Sequence, residues 1–337
     1  MISTLMMKGS RRALSQIRYV SPIPPAKATG LVRKVYVQTE RDFGMLAPPV
    51  ALHSSAPGPL AAVWVMLRET LVAPGNASRA EKEAVAAAVS DVNSCPYCVT
   101  IHSAAARGLP AEPGLHEVAR WARSTGRPGT GQLAPTANFA ELAGVAVTFH
   151  YLNRMVSVFL PDSPLPARLP KPAGGWFMRV LGSVMVSGTP VPGTALDLLP
   201  EAPLPDEFVW AAGESRVATA LASAAAALED AGAAILPPRV REFVCDRLRG
   251  WDGHPPGPSR AWADTEVAGL AVSERPAGRL AILTAQAPYQ IGPDVIEDFR
   301  SSGRGRRAGD DELVGLTAWA SMAAARTAGS WLRTSRT

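Results

Sequence analysis

Alanine sets the first limit on what this chain can become. AVAAAVS (84–90), ALASAAAAL (220–228) and SMAAARTAG (321–329) are strong helix formers, and runs rich in β-branched and aromatic residues are nearly absent. The fold class that follows is all-α. Proline sets the second limit. Ten prolines fall between 161 and 206; each lacks an amide donor and clashes with the preceding turn, so no long helix crosses that stretch. At 337 residues the chain is also long for one core, and two units are expected. The division that results is an N-terminal arm at 1–28, a helical domain at 29–165, a Pro-rich connection at 166–213 and a second helical half at 214–337.

In the first half, helices are expected over GLVRKVYVQTERDFG and over the apolar LAAVWVMLRETLV (60–72). A further helix starts at Asn76 or Ser78, where a candidate N-cap precedes acidic residues. Others are expected at 97–107, 113–124, 135–160 and 174–186, and five more lie past the connection. Sliding the halves over each other aligns KEAVAAAVSDVNSCPYCVTIHS with DELVGLTAWASMAAARTAGSWL, so that Glu83 meets Glu312, Cys95 meets Ala324, Cys98 meets Thr327 and His102 meets Trp331. In that register the second half is a degenerate copy without the chemistry. A weaker echo pairs ELAGVAVTF at Glu141 with ELVGLTAWA at Glu312.

The net charge of +5 comes mainly from arginines scattered along the chain, which describes a solvated surface, not a nucleic-acid groove. SSGRGRRAG (301–309) is the one concentrated basic patch and reads as a mobile loop. MISTLMMKGSRRALSQIRYV lacks the continuous apolar run of a signal peptide, and no uncharged apolar stretch is long enough to span a bilayer. Three cysteines make no disulfide framework, and a close pair in a chain without an export signal points to redox or metal chemistry. A cytoplasmic home without membrane attachment is the expectation.

That pair lies in NSCPYCVTIHSAAARG (93–108). On a helix starting at Asn93 or Ser94, at about 100° per residue, Cys98 lies roughly 300° and His102 roughly 340° on from Cys95, so the three share a face. Pro96 is tolerated in the first turn, and Cys95 sits at the positive end of the helix dipole, which favours its thiolate. The thiols can close a disulfide, and His102 can accept the Cys98 proton or hold a water. Glu83 lies twelve residues before Cys95. A tight turn at DVNS would fold its helix back and bring it near His102, completing a carboxylate–imidazole–thiol relay.

Glu83, eleven residues, Cys95-x-x-Cys98, three residues, His102 resembles the motif of the alkyl hydroperoxidase D (AhpD)-like branch of the carboxymuconolactone decarboxylase superfamily, most clearly from about Gly30 to Phe159. The resemblance implies an AhpD-like helical bundle, usually a homo-oligomer, with the cysteines buried near a subunit contact. It implies that Cys98 attacks a hydroperoxide substrate and becomes a sulfenic acid. Cys95 then resolves it and supplies a proton, with His102 and Glu83 as the relay. Some members carry a second histidine between the cysteines, where this chain has Tyr97; a phenol is a poor base at neutral pH. No flavin, haem or nucleotide motif is visible, so no cofactor is expected and electrons come from a thiol or protein reductant.

Other readings of these residues differ in what they require. Cys-Pro-Tyr-Cys also occurs in glutaredoxins, but there it follows a strand, whereas EKEAVAAAVSDVNS is helical. Zinc on Cys95, Cys98 and His102 would need a fourth ligand or an open position. As an enzyme the chain reads as a thiol-dependent peroxidase or disulfide reductase; a redox sensor or adaptor without turnover and a structural relative with an inactive CxxC are the alternatives. Cys245 reads as a buried small apolar residue, His150 as a core histidine, and His53, His116 and His254 as surface positions in or beside loops. Arg154 could meet a carboxylate, Glu83 included, or an oligomer partner. Trp319, Met322 and Trp331 form an apolar stripe suited to core or subunit contact.

Overall fold

The computed structural model describes residues 14–129, 138–165, 180, 182–185, 188, 190–302 and 306–332. Among these residues the regular structure is helical and contains no strand. In the first half the helices are α1 (Gly30–Asp42), α2 (Pro48–Ala51), α3 (Pro57–Leu67), α4 (Arg79–Val92), α5 (Pro96–Arg107), α6 (Leu115–Ser124) and α7 (Phe139–Phe159). The second half contributes α8 (Ser215–Ile235), α9 (Pro238–Arg249), α10 (Ala261–Glu266), α11 (Arg275–Gln286), α12 (Pro293–Ser301) and α13 (Asp310–Ser330). Most of the expected 174–186 helix, and part of the expected connection, lie outside the described residues.

Each boundary has a local cause. Proline opens α2, α3, α5, α9 and α12, where its missing amide would have had no intrahelical partner. Ser78, one of the two expected caps, opens α4 with a reciprocal capping box: its hydroxyl accepts from the Glu81 amide, and the Glu81 carboxylate accepts the Ser78 amide at 2.7 Å. The apolar 60–72 run starts as an α-helix and passes into a π-helical turn at Arg68–Val72. The wider turn holds two charges in the core. Arg68 Nε donates to Asp42 at 2.7 Å and its guanidinium also pairs with Glu69, whose carboxylate accepts the Gly193 amide at 2.8 Å.

The helices converge on one continuous apolar core that runs from Leu14 to Leu332. Within the first half, α4 carries α5, α6 and α7; between the halves, α3 packs on α8 and α7 on α13. Both α7 and α13 run for 21 residues and are largely buried. A buried Lys82–Glu141 pair at 3.0 Å ties the start of α4 to the start of α7, and Glu141 also accepts the Asn76 amide at 2.7 Å.

The helix bounds bear on the internal echoes. The first register sets α4, a turn and α5 against α13, which is unbroken. The weaker echo pairs two helices of equal length, with Glu141 and Glu312 each third in its helix. Like α5, α12 opens on a proline. Pro96 and Pro293 are first in their helices, Cys98 and Val295 third, His102 and Phe299 seventh.

Two expectations about burial are corrected. His53 is fully buried in the turn after α2, its Nε2 at 2.8 Å from the Tyr151 hydroxyl on α7. Cys245 is exposed, because α9 turns Val240, Val244 and Leu248 inward instead. Of the basic patch, 303–305 lie outside the described residues; at its end the exposed Arg306 pairs with Glu312 and Arg307 with Glu297. His116 and His254 are exposed as expected, His150 is buried, and Trp319 and Met322 are core residues.

Candidate active site

The turn between α4 and α5 builds the site. Asn93 caps α4, its amide 3.0 Å from the Val89 carbonyl, and Ser94 then takes a left-handed backbone (φ 52°). That reversal lets the Cys95 amide reach back to the Ser90 carbonyl at 2.9 Å. The helix therefore begins at Pro96, not at Asn93 or Ser94, and Cys95 is its N-cap. Cys98 and His102 stand one turn apart on the buried face of α5, and both cysteines are free thiols.

Folding α5 back on α4 brings Glu83 Oε2 to 2.7 Å from His102 Nδ1. The other carboxylate oxygen accepts from Arg79 Nε at 2.9 Å, and Arg79 is steadied by the Met185 carbonyl at 3.2 Å. Burial alone would raise the Glu83 pKa; Arg79 and His102 overcome it and hold the carboxylate below its usual range. Glu83 therefore stays ionised and orients the His102 ring, whose edge packs on Phe149 with centroids 4.5 Å apart.

The two thiols are electrostatically unequal. Cys95 has its pKa lowered, chiefly by hydrogen bonding from the Cys98 thiol, with the Cys98 amide and the Asn153 and Ser157 side chains adding to it against burial. Cys98 is pushed the other way by the same bond, by burial and by the Cys95 charge. Of the two sulfurs, Cys95, which caps the helix N-terminus, is the readier to ionise, and Cys98 the readier to hold its proton. Tyr97 is buried, and its phenol pKa is raised by burial and by both cysteines, so it stays protonated.

Sequence reasoning missed the wall opposite the relay. Asn153 and Ser157 on α7 contact the cysteines. The Asn153 amide donates to Ser90 Oγ at 3.0 Å, and its oxygen accepts from Asn93 at 2.9 Å. The signal was present as polar residues, His150, Asn153 and Ser157, recurring at helical spacing on an otherwise apolar helix. His150 is held neutral by burial, its pKa about 3, between Asn93 and Thr125. Among the described residues Arg154 meets no carboxylate: its Nε donates to the Ala285 carbonyl at 2.8 Å, it also bonds the His150 carbonyl, and it lies 5.4 Å from the centre of the Trp251 ring. Among the described residues no three His, Cys, Asp or Glu side chains converge as metal ligands, and no helix is long and apolar enough to cross a membrane.

A buried dithiol at a helix N-terminus, followed one turn later by a carboxylate-oriented histidine, is joined by a family match. The profile of the carboxymuconolactone decarboxylase family matches residues 58–131, from α3 past α6, with all four motif residues inside it. The chain belongs to that family, in its alkyl hydroperoxidase D-like branch. It is similar to an alkyl hydroperoxide reductase of Mycobacterium tuberculosis, with 34% identity over 342 residues, 94% of this chain and 95% of the relative.

Proposed function

We propose that the chain is a thiol-dependent peroxidase that reduces organic hydroperoxides through Cys95 and Cys98. The observation that carries this reading is the buried Cys95–Cys98 pair one turn from His102, whose Nδ1 lies 2.7 Å from the buried Glu83 carboxylate. The similarity to an alkyl hydroperoxide reductase supports it.

In the proposed cycle the Cys95 thiolate takes the Cys98 proton across their hydrogen bond. The Cys98 thiolate attacks the terminal oxygen of ROOH; the O–O bond breaks, giving Cys98 sulfenic acid and an alkoxide. Cys95 protonates the alkoxide to ROH and, again a thiolate, attacks the Cys98 sulfur. The disulfide forms and the hydroxide leaving group takes a proton through His102, which Glu83 holds by Nδ1. Two external thiol equivalents reduce the disulfide. Asn153 and Ser157 position the Cys95 charge.

The same reading makes the second half a copy that has lost the chemistry. Where α5 has Cys98 and His102, α12 has Val295 and Phe299; where α7 has Asn153 and Ser157, fifteenth and nineteenth in the helix, α13 has Ala324 and Ala328. Assembly into a homo-oligomer and a cytoplasmic home belong to this reading too, and light scattering on the eluting protein tests the assembly.

Titrating free thiols before and after one equivalent of hydroperoxide, with steady-state consumption measured alongside, tests the activity. Loss of two thiols with repeated turnover is expected. No thiol loss overturns the redox reading, and slow loss without turnover favours a sensor.

A further inference from the structure

A cavity of about 180 Å³ opens between the halves, beside the redox pair. Its floor includes Ser94, which precedes Cys95, and Asn153, whose side chain bonds the thiols. Three arginines line it, Arg123, Arg127 and Arg154, and no Asp or Glu does. The second half closes it with Trp251 and Tyr289.

In this wall the Arg154 charge is met by backbone carbonyls. Arg154 is buried, with 6% exposure, and bonds two backbone carbonyls; burial lowers its pKa to about 10, which leaves it cationic at neutral pH. Carbonyl dipoles solvate a guanidinium without neutralising it, and a carboxylate does both. The nearby acids are engaged at the surface: Asp91 with Arg123 at 3.4 Å, and Asp252 with the His254 amide at 2.9 Å and ring at 3.4 Å. Guanidinium groups over a small space with aromatic walls suit an anionic head with a short apolar body.

We propose that this cavity holds the carboxylate of a small organic acid that takes part in the Cys95–Cys98 cycle. The proposal rests on the peroxidase reading for its role, though not for its binding. The acid is either a carboxylated hydroperoxide or a carboxylated thiol, the latter reducing the disulfide as two R′SH become R′S–SR′ and the two protein thiols re-form.

Trp251 gives a readout independent of turnover. Titration with hexanoate is expected to quench fluorescence saturably, hexanamide is not, and Trp251→Phe removes the signal. Arg127→Gln, at the rim, and Arg154→Lys, which keeps the buried charge but loses the fork, should each weaken hexanoate binding by about tenfold. In kinetics, a hydroperoxy acid is compared with its methyl ester, and a mercapto acid with its amide. Preference for the acid of about tenfold or more in kcat/KM in the oxidative arm identifies the hydroperoxide; in the reductive arm it identifies the thiol. No carboxylate-specific quenching, or equal rates for acid and neutral forms in both arms, overturns the proposal. Quenching that persists in a protein consuming no hydroperoxide would sink the peroxidase reading and uphold the carboxylate site.

Discussion

Replacing Glu83 with Gln isolates what the buried carboxylate does for His102. The amide oxygen can still accept from Nδ1, so the ring keeps its orientation, but the negative charge 2.7 Å away is gone. A hydrogen bond to a charged group contributes about 1.5–3 kcal/mol and a neutral one about 0.5–1.5, so the charge is worth about 1–1.5 kcal/mol. At 1.36 kcal/mol per decade, removing it should lower kcat/KM for hydroperoxide by about 5- to 13-fold. The same change strands Arg79, which is left with backbone carbonyls as partners. Breaking a buried pair costs about 3–5 kcal/mol, and partial exposure of Arg79 puts the effect at the lower end. At about 2.1 cal/mol/K of unfolding entropy per residue, a chain of 337 residues loses about 1.4 °C per kcal/mol, so Tm should fall by about 4 °C. Hydroperoxide consumption with a dithiol reductant, assayed well below the lowered Tm, measures the first effect, and calorimetry the second. Activity within twofold of wild type in a folded Glu83→Gln protein would refute the relay.

Asn153→Ala removes a donor from the thiol pair, and the Cys95 pKa, followed by thiolate ultraviolet absorbance, should rise by about one to two units; an unchanged titration would exclude Asn153 as a positioning residue. Gly253 sits at φ 89° with the Gly126 carbonyl where a Cβ would stand, so Gly253→Ala should lift the 251–255 loop, destabilise the fold by about 1–3 kcal/mol and weaken hexanoate quenching. His53 and His150 are buried with folded pKa values near 3, below the usual 6.5. A depressed histidine pKa gives stability that is present above 6.5 and lost as pH falls towards 3, so denaturation midpoints should show a loss of about 4 kcal/mol between pH 7 and pH 5. Glu83, also depressed, adds to that loss only below about pH 4.

The helical class was legible from alanine runs and from capping residues such as Ser78, because those signals act within one turn. Glu83 and His102 were legible because spacing fixes which residues share a helix face, and one tight turn brings the two faces together. The start of α5 was misplaced because Ser94 adopts a left-handed backbone that Ser does not announce, which makes Cys95 a cap instead of a first-turn residue. His53 was placed at the surface because a turn reads as exposed until Tyr151, ninety-eight residues away, covers it. Arg154 was left between a carboxylate and an oligomer partner, because backbone carbonyls as partners leave no trace in side-chain patterns. The duplication was sought between Ala-rich segments, whose composition matches in several registers.

The central claim is that Cys98 meets the peroxide and Cys95 resolves it. The direct test is Cys95→Ser, treated with one equivalent of hydroperoxide in the presence of a sulfenic-acid trap and read by peptide mass spectrometry. The account predicts one trapped adduct, on Cys98, no internal disulfide and no sustained turnover. An unmodified Cys98 in the folded variant, with Cys98→Ser still consuming peroxide and carrying the adduct on Cys95, would contradict it.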